Sequence, residues 1–256
     1  MGQALLRGWL SDGLGPVTVV DPQANAAAPF LNDARVAWVS VLAELPPGFH
    51  AETVVVAVKP QMVEAVGASL RSIITESTLI VSILAGTSIA SLSQVLGGSS
   101  VVRVMPNLPA SVGRAMSVAV PSAAVSAVQR AAADRLLRAV GQVEWIDDEA
   151  LIDPVTGVSG SGPAYVFLLV EVLATAGVKA GLAPDLAMKL ARQTVVGAAE
   201  LMHQSDLTAA ELRRNVSSPG GTTIAALSVL TAEDRLQSLF DDAVEAAAER
   251  ARELGR

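Results

Sequence analysis

The sequence contains no cysteine and only two histidines, His50 and His203. The absence of cysteine excludes disulfide bonds, thiol catalysis and thiolate metal ligands. Two histidines do not make a metal-binding cluster, so we predict no bound metal. No segment offers a Ser–His–Asp set or a pair of catalytic carboxylates either. These absences favour a protein that positions a substrate while a cofactor supplies the reaction chemistry.

Charged residues are also scarce, at 17% of the 256 residues, and the 18 basic and 25 acidic side chains give a formal charge of -7. An acidic chain without a Lys/Arg cluster has no electrostatic footprint for nucleic acid, so we expect no such partner. Hydrophobic residues make up 51% of the chain. That content indicates a large core or a second subunit that covers apolar surface.

Signals for secretion or membrane insertion are missing from the sequence. The first residues lack a basic region followed by an apolar run, so no signal peptide is visible. The most apolar stretch, residues 163–178, is too short to span a bilayer and contains Glu171. We therefore expect a soluble, cytoplasmic protein that does not bind membranes.

The hydrophobic pattern divides the chain into two domains. Up to about residue 150, short β-branched runs alternate with helical stretches, which predicts a mainly parallel sheet covered on both faces. From residue 160 onward only helices are indicated. We predict an α/β, Rossmann-like domain over residues 1–150, followed by an all-helical domain over residues 151–256.

The helical domain contains a segment, residues 164–178, that is apolar almost all round. Such a pattern is typical of a helix buried on every side. A domain of about 100 residues has difficulty burying it within one subunit. The simplest solution is an intertwined dimer, and the alternative is a monomer with an unusually tight helical bundle.

Three strand ends carry small residues, a proline or an amide: residues 57–61 (AVKPQ), 84–88 (LAGTS) and 103–107 (RVMPN). In open parallel sheets, ligands bind beyond the carboxyl ends of the strands. A site for the nicotinamide half of a dinucleotide needs residues of these types. Each segment taken alone is also an ordinary strand end of any α/β protein.

Two glycine-rich segments precede helices. In residues 215–223 (NVSSPGGTT), the glycines permit close backbone approach, and the following helix N-terminus attracts an anion such as a carboxylate or phosphate. The alternative is an ordinary helix start after a turn. Residues 159–165 (SGSGPAY) form a similar helix start, with Pro163 at an early helical position.

These motifs, in this order and spacing, resemble those of the pyrroline-5-carboxylate reductase family over essentially the whole chain. The segments that carry the resemblance are residues 54–61, 103–115, 153–182 and 215–227. The resemblance implies NAD(P)H-dependent reduction of 1-pyrroline-5-carboxylate to L-proline, the last step of proline synthesis. It also implies a Rossmann-like domain and a helical dimerisation domain, in a homodimer or a larger ring of dimers.

The resemblance implies roles for particular residues. The substrate carboxylate is expected at Ser218, Gly221 and Thr222, and Thr223 is expected to bind the ring nitrogen and to aid its protonation as the catalytic residue. The expected cofactor-binding residues are Gly2, Ala57, Val58, Lys59, Pro60, Ala85, Gly86 and Asn107.

Asp21, at the end of the run VTVV, departs from many relatives, which have small or basic residues there. A carboxylate at this position accepts hydrogen bonds from ribose hydroxyls and repels a 2′-phosphate, and no arginine follows until Arg35. We therefore expect NADPH or NADH as cofactor, with a lean to NADH.

The chain opens with a helix at residues 2–10, whereas the resemblance implies a strand and a glycine-rich loop before it. We expect Met1 to be an internal methionine of a native chain that begins roughly ten residues earlier. A cofactor-free dimerising relative is one alternative function. Another Rossmann-type reductase with a helical second domain is a second alternative, but such enzymes usually use a lysine there, and Lys179 and Lys189 lie outside glycine-rich motifs.

Overall fold

The computed structural model describes residues 1–255, and its first part alternates between strands and helices. Its elements are α1 (Gly2–Ser11), β1 (Val17–Val20), α2 (Ala24–Ala27), β2 (Val36–Val39), β3 (Thr53–Val56), α3 (Val63–Leu70), β4 (Leu79–Ser82), α4 (Ile89–Leu96), β5 (Val101–Met105), β6 (Ala115–Pro121), α5 (Ala127–Arg138) and β7 (Gly141–Trp145). Helices follow from there onward: α6 (Ile152–Val155), a π-helical turn (Thr156–Gly160), α7 (Gly162–Lys179), α8 (Pro184–His203), α9 (Ala209–Asn215), α10 (Thr222–Leu230) and α11 (Arg235–Leu254).

The strands form two separate ladders. β1 and β2 pair in parallel, and a second sheet has the order β3-β4-β5-β6-β7. In the second sheet only β6 runs against its neighbour β5, and the other pairs are parallel. The predicted α/β class with a mainly parallel sheet is confirmed. Because β3, β4 and β5 are parallel, their carboxyl ends meet at one edge of the sheet.

Local sequence signals explain several element boundaries. Ser88 caps α4 by accepting a hydrogen bond from the Ser91 N–H at 3.1 Å, and α4 ends at Gly97, whose φ of 73° favours glycine. Thr208 and Glu211 form the predicted capping box at the start of α9. All residues of β4 and β5 are buried, as their continuous apolar runs indicate.

The chain divides into two compact units. The first contains residues 1–160 and the end of α11 from Ala247 onward, and the second spans Ser161–Ala246. Both ladders belong to the first unit. Helix α11 begins in the second unit and ends in the first, because the boundary falls between Ala246 and Ala247. The predicted boundary between a Rossmann-like domain, residues 1–150, and a helical domain, residues 151–256, stays a prediction.

Helix α7 is largely exposed in the single chain. Only Ala174 of this helix is buried, whereas Phe167, Leu168 and Val172 are each more than half exposed. This exposure agrees with the expectation that one subunit has difficulty burying the helix, and its burial by a second subunit stays a prediction. The physical reason is that α7 packs chiefly against α8, where Gly177 comes close to Ala187, and that its first turn adds an edge-to-face contact between Tyr165 and Phe240 of α11.

The helical run from Glu149 to Lys179 is the one stretch of residues 1–255 that is long and apolar enough to cross a membrane by length and composition. The expectation that the apolar stretch is too short did not include residues 149–162, which extend the helical run. Length and composition are a weak indication, because helices of soluble proteins meet the same criterion.

Candidate active site

The carboxyl edge of the second sheet brings three predicted segments together. The register pairs Val56 of β3 with Ser82 of β4, and Ser82 with Arg103 of β5. Residues 57–60, residues 85–86 and Asn107 follow directly after these strands. The side chains of Ala57, Lys59 and Ala85 are exposed there, and those of Val58 and Pro60 are half-buried. A ligand that binds beyond the strand ends contacts these residues first.

The N-terminus of α1 lies against the same edge. A Cβ placed on Gly2 would be 3.5 Å from Ala57 Cβ, which is an ordinary van der Waals contact. The first turn of α1 contains no acidic residue, and Met1 provides no side-chain cap. The N-terminus of this ten-residue helix, which carries the positive end of the helix dipole, therefore lies at the sheet edge without a negative charge of its own. Helix N-termini of this kind bind phosphate groups.

Gly86 holds the turn after β4 in a conformation that requires glycine. Its φ is +71°, and a Cβ at this position would lie 2.8 Å from the Leu254 carbonyl oxygen. The last turn of α11 is thus packed directly on the predicted cofactor segment. The sequence holds no local signal for this contact, because Leu254 is distant along the chain.

Asn107 is already engaged in hydrogen bonds. Its Oδ1 accepts from the Met116 N–H at 2.9 Å, and its Nδ2 donates to the Ser159 carbonyl oxygen at 3.2 Å and to Ser159 Oγ at 3.4 Å. The side chain therefore ties the end of β5 to the start of the SGSGPAY segment. Its contact with a cofactor stays a prediction.

Asp21 is half-buried at the carboxyl end of β1. Its Oδ1 accepts from the Gln23 N–H at 2.8 Å, and its carbonyl oxygen accepts from Trp38 Nε1 at 2.9 Å. Arg35 lies at the opposite, amino end of β2, one residue before Val36, the partner of Val17. The arginine that follows Asp21 in sequence is thus not beside it.

Arg35 is held where it is by several partners. Its guanidinium pairs with Asp33 and donates to the carbonyl oxygens of Leu10 and Leu14, at 3.0 and 3.3 Å. The hydrogen bond from the Arg35 side chain lowers the pKa of Asp33 to about 2. This group closes the end of α1 against β2, so Arg35 is not available to a ligand at the carboxyl edge.

In the second unit, the turn before α10 brings together the four predicted substrate residues. The Gly221 N–H donates to the Ser218 carbonyl oxygen at 2.9 Å, and a Cβ on Gly221 would lie 2.6 Å from Ser218 Oγ. Gly220 adopts a φ of +73°, which directs the chain into the helix. Thr222 is exposed and Thr223 is half-buried.

This turn fits an anion. The nine-residue helix α10 has no acidic residue in its first turn and no side-chain cap from Gly221. Its first N–H groups have no acceptor within the helix, so they remain available to a bound carboxylate. The Ser218 hydroxyl stands at the side of this cradle, and glycine at position 221 leaves the space open.

Two further features lie outside these sites. Among residues 1–255, no three Asp, Glu or His side chains group together as metal ligands. A cavity of about 730 Å³ is lined by residues such as Thr75, Ser99 and Ser122, at the amino ends of β4 and β5. Ligands of parallel sheets bind at the other edge, so we assign no function to this cavity.

Comparison with known proteins gives matches along most of the chain. Residues 149–254 match a family described as pyrroline-5-carboxylate reductase dimerisation, and residues 1–86 match one described as NADP oxidoreductase, coenzyme F420-dependent. The pyrroline-5-carboxylate reductase of Pseudomonas aeruginosa is 42% identical over 99% of this chain and 93% of its own length. The enzyme of Synechocystis is 44% identical over 80% of this chain and 76% of its own.

Solved structures give the same result. A pyrroline-5-carboxylate reductase from Coxiella burnetii superposes with a TM-score of 0.90 at 33% identity, covering 100% of this chain and 95% of that one. The Plasmodium falciparum pyrroline carboxylate reductase, solved with NADP bound, gives a TM-score of 0.78 at 30% identity with the same coverage.

Proposed function

Because the chain belongs to the pyrroline-5-carboxylate reductase family, we propose that it reduces 1-pyrroline-5-carboxylate to L-proline with NADH or NADPH. This reaction is the final step of proline biosynthesis. The observation that carries the proposal is the anion cradle before α10, because the substrate is a small ring that bears one carboxylate and one C=N bond.

The cradle binds the substrate carboxylate. Since the Gly221 N–H is donated to the Ser218 carbonyl oxygen, we assign the carboxylate to the N–H groups of Thr222 and Thr223 and to the Ser218 hydroxyl. Gly221 contributes by the absence of a side chain, because a Cβ there would collide with Ser218 Oγ. Together they fix the ring in one orientation.

Thr223 is the proposed catalytic residue. Its hydroxyl hydrogen-bonds the ring nitrogen and favours the protonated imine. The bound nicotinamide cofactor supplies the hydride, which adds to the imine carbon. The electron pair of the C=N bond then stays on the nitrogen as the amine of proline. A protonated imine accepts hydride readily, so this site needs no strong acid or nucleophile.

The carboxyl edge of the sheet binds the cofactor. The N-terminus of α1 from Gly2 provides a positive end for the phosphates, and the exposed small residues after β3 and β4 leave room for the dinucleotide. Asp21 binds the adenosine ribose and favours NADH over NADPH. The residues that complete the proposed cofactor site are Ala57, Val58, Lys59, Pro60, Ala85, Gly86 and Asn107.

A second copy of the chain covers the exposed side of α7. Phe167, Leu168 and Val172 are 55%, 56% and 57% exposed in the single chain, and exposed large apolar side chains on one helix favour an interface with another subunit. The proposed assembly is a homodimer or a larger ring of dimers, located in the cytoplasm. Nucleic acids and membranes are not among the proposed partners.

The test is the rate of proline formation from pyrroline-5-carboxylate, measured for the wild type, Thr223→Val and a control, Thr231→Val. Thr231 lies just after α10, and its hydroxyl donates to the Leu227 carbonyl oxygen. Loss of a hydrogen bond to a charged group lowers kcat/KM of Thr223→Val by roughly 10- to 100-fold, whereas Thr231→Val keeps its activity.

Several results would contradict the proposal. If Thr223→Val and Thr231→Val have equal kcat/KM, Thr223 has no catalytic role. A well-folded protein that binds neither cofactor in a calorimetric titration is instead a cofactor-free dimerising relative. Oxidation of a hydroxy acid with NAD, without proline formation, makes it a different Rossmann-type dehydrogenase.

A further inference from the structure

The loop after β2 contains a carboxylate, that of Glu44, which is bound by two donors of a single residue, Ser40. Ser40 donates twice to Glu44: its N–H to Oε2 at 2.9 Å and its hydroxyl to Oε1 at 2.6 Å. These hydrogen bonds, first the hydroxyl and then the N–H, lower the pKa of Glu44. A hydroxyl and an N–H from one residue that grip two oxygens of an anion form the arrangement that also binds a phosphate.

This pair lies beside Asp21. The parallel register matches Val20 of β1 with Val39 of β2, and the Asp21 N–H donates to the Val39 carbonyl oxygen at 3.2 Å. Asp21 and Ser40 are therefore the next residues of two neighbouring strands, whose backbones lie about 4.8 Å apart. The carboxyl edge of the first ladder thus presents the Asp21 carboxylate and the anion donors of Ser40 side by side.

No cation compensates these two carboxylates from the neighbouring strand. Arg35, the basic residue closest in sequence to Ser40, lies at the amino end of β2 and is bound to Asp33. The Asp21 carboxylate accepts from the Gln23 N–H, and the Asp21 carbonyl oxygen accepts from Trp38 Nε1, so neither bond brings a positive charge to this edge.

We infer that Glu44 is a specificity-determining residue that occupies the anion donors of Ser40 and, together with Asp21, excludes the 2′-phosphate of NADPH. The inference deepens the proposed function and rests on it. A 2′-phosphate next to Asp21 finds the N–H and hydroxyl of Ser40 already bound to Glu44, and the Glu44 carboxylate adds a second negative charge that repels it. Removing Asp21 alone therefore leaves the Ser40 donors blocked, and removing Glu44 releases them.

The test is a calorimetric titration of the full chain with NADH, NADPH, 5′-AMP and adenosine 2′,5′-bisphosphate. Glu44→Ala frees both donors, and Glu44→Gln removes the charge but keeps one acceptor for Ser40. Glu76→Gln is the matched control, because it removes the same charge from an exposed residue that lines the cavity at the opposite edge. Thermal unfolding of each variant checks that the fold is retained.

We expect the wild type to bind NADH more tightly than NADPH. Glu44→Ala tightens NADPH and 2′,5′-bisphosphate binding by about two- to fivefold, the range of an exposed charge interaction, while NADH and 5′-AMP stay unchanged. The gain in NADPH affinity is smaller for Glu44→Gln than for Glu44→Ala, and Glu76→Gln leaves the NADPH affinity unchanged. The double variant Asp21→Asn/Glu44→Ala increases NADPH affinity by more than the product of the two single-variant increases.

NADPH affinities of Glu44→Ala and Glu44→Gln that equal that of Glu76→Gln would overturn the inference. A wild type that binds NADPH as tightly as NADH would also overturn it. If instead the proposed function is wrong, neither the wild type nor any variant binds NADH or NADPH, a result that differs from both outcomes above.

Discussion

Replacement of Glu149 by alanine tests how the first unit holds its strand β5, its helix α4 and the segment after β7 together. Glu149 Oε1 accepts two hydrogen bonds at 2.8 Å, one from an Arg103 guanidinium nitrogen and one from the Ile89 N–H. Arg103 lies within β5 and is 6% exposed, and Ile89 is the first residue of α4. The single carboxylate therefore joins three elements.

The expected loss follows from the burial of these groups. Removing one partner of a fully buried ion pair costs about 3–5 kcal/mol of unfolding free energy, because the other charge stays buried and unpaired. The Glu149 side chain is 32% exposed, so water reaches the guanidinium in the variant and reduces the loss. Arg103 Nε is buried and already has no hydrogen-bond partner, so residues 1–255 offer no other acceptor there to replace Glu149. We expect a loss of about 2–3 kcal/mol.

The assay is urea unfolding at one fixed protein concentration, since oligomers gain stability with concentration. The control is Glu249→Ala at an exposed position of α11, which should change the unfolding free energy by less than about 0.5 kcal/mol. The double variant Arg103→Met/Glu149→Ala should be more stable than Glu149→Ala, because it buries no unpaired charge. A loss no greater than that of Glu249→Ala, or a double variant less stable than Glu149→Ala, refutes the reasoning.

Two further predictions concern packing and acid stability. Gly8→Ala should lower the unfolding free energy by about 1–3 kcal/mol, because a Cβ there would lie 2.7 Å from the Ala139 carbonyl oxygen. Gly197→Ala in α8, with nothing within 4 Å, should raise it by about 0.5–1 kcal/mol, and equal effects of the two changes would disprove the packing argument. In a carbon NMR titration, Asp33 should show a pKa of about 2 because it binds Arg35; its stabilising contribution is complete above its ordinary value of 3.8 and is lost as the pH falls through about 2. A midpoint near 3.8, or an acid unfolding limb unchanged in Asp33→Asn, contradicts this account.

Much of the secondary structure in both units could be predicted from local sequence. The continuous apolar runs of β4 and β5 indicate strands buried on both faces, and the capping residues Ser88 and Thr208 mark the starts of α4 and α9. These signals act within a few residues, so periodicity and capping chemistry are sufficient to read them.

The contacts that shape the candidate site are of another kind. Leu254 packs on Gly86, and Ser159 binds Asn107, across long separations in sequence that no local pattern encodes. The all-round apolar character of α7 was visible in the sequence, but periodicity does not tell which surface covers a helix. The Ser40–Glu44 pair was missed although its four-residue spacing was present, because an acidic residue in a loop has no distinctive pattern.

The central claim is that this chain transfers a hydride from a nicotinamide cofactor to the imine carbon of pyrroline-5-carboxylate. It is tested most directly by incubating the protein with pyrroline-5-carboxylate and with NADH or NADPH that carries deuterium at the transferable C4 position, and by locating the label in the product. The account predicts proline with one deuterium at the former imine carbon, formed with a higher kcat/KM from NADH than from NADPH. The absence of proline, or proline without deuterium at that carbon, would contradict it.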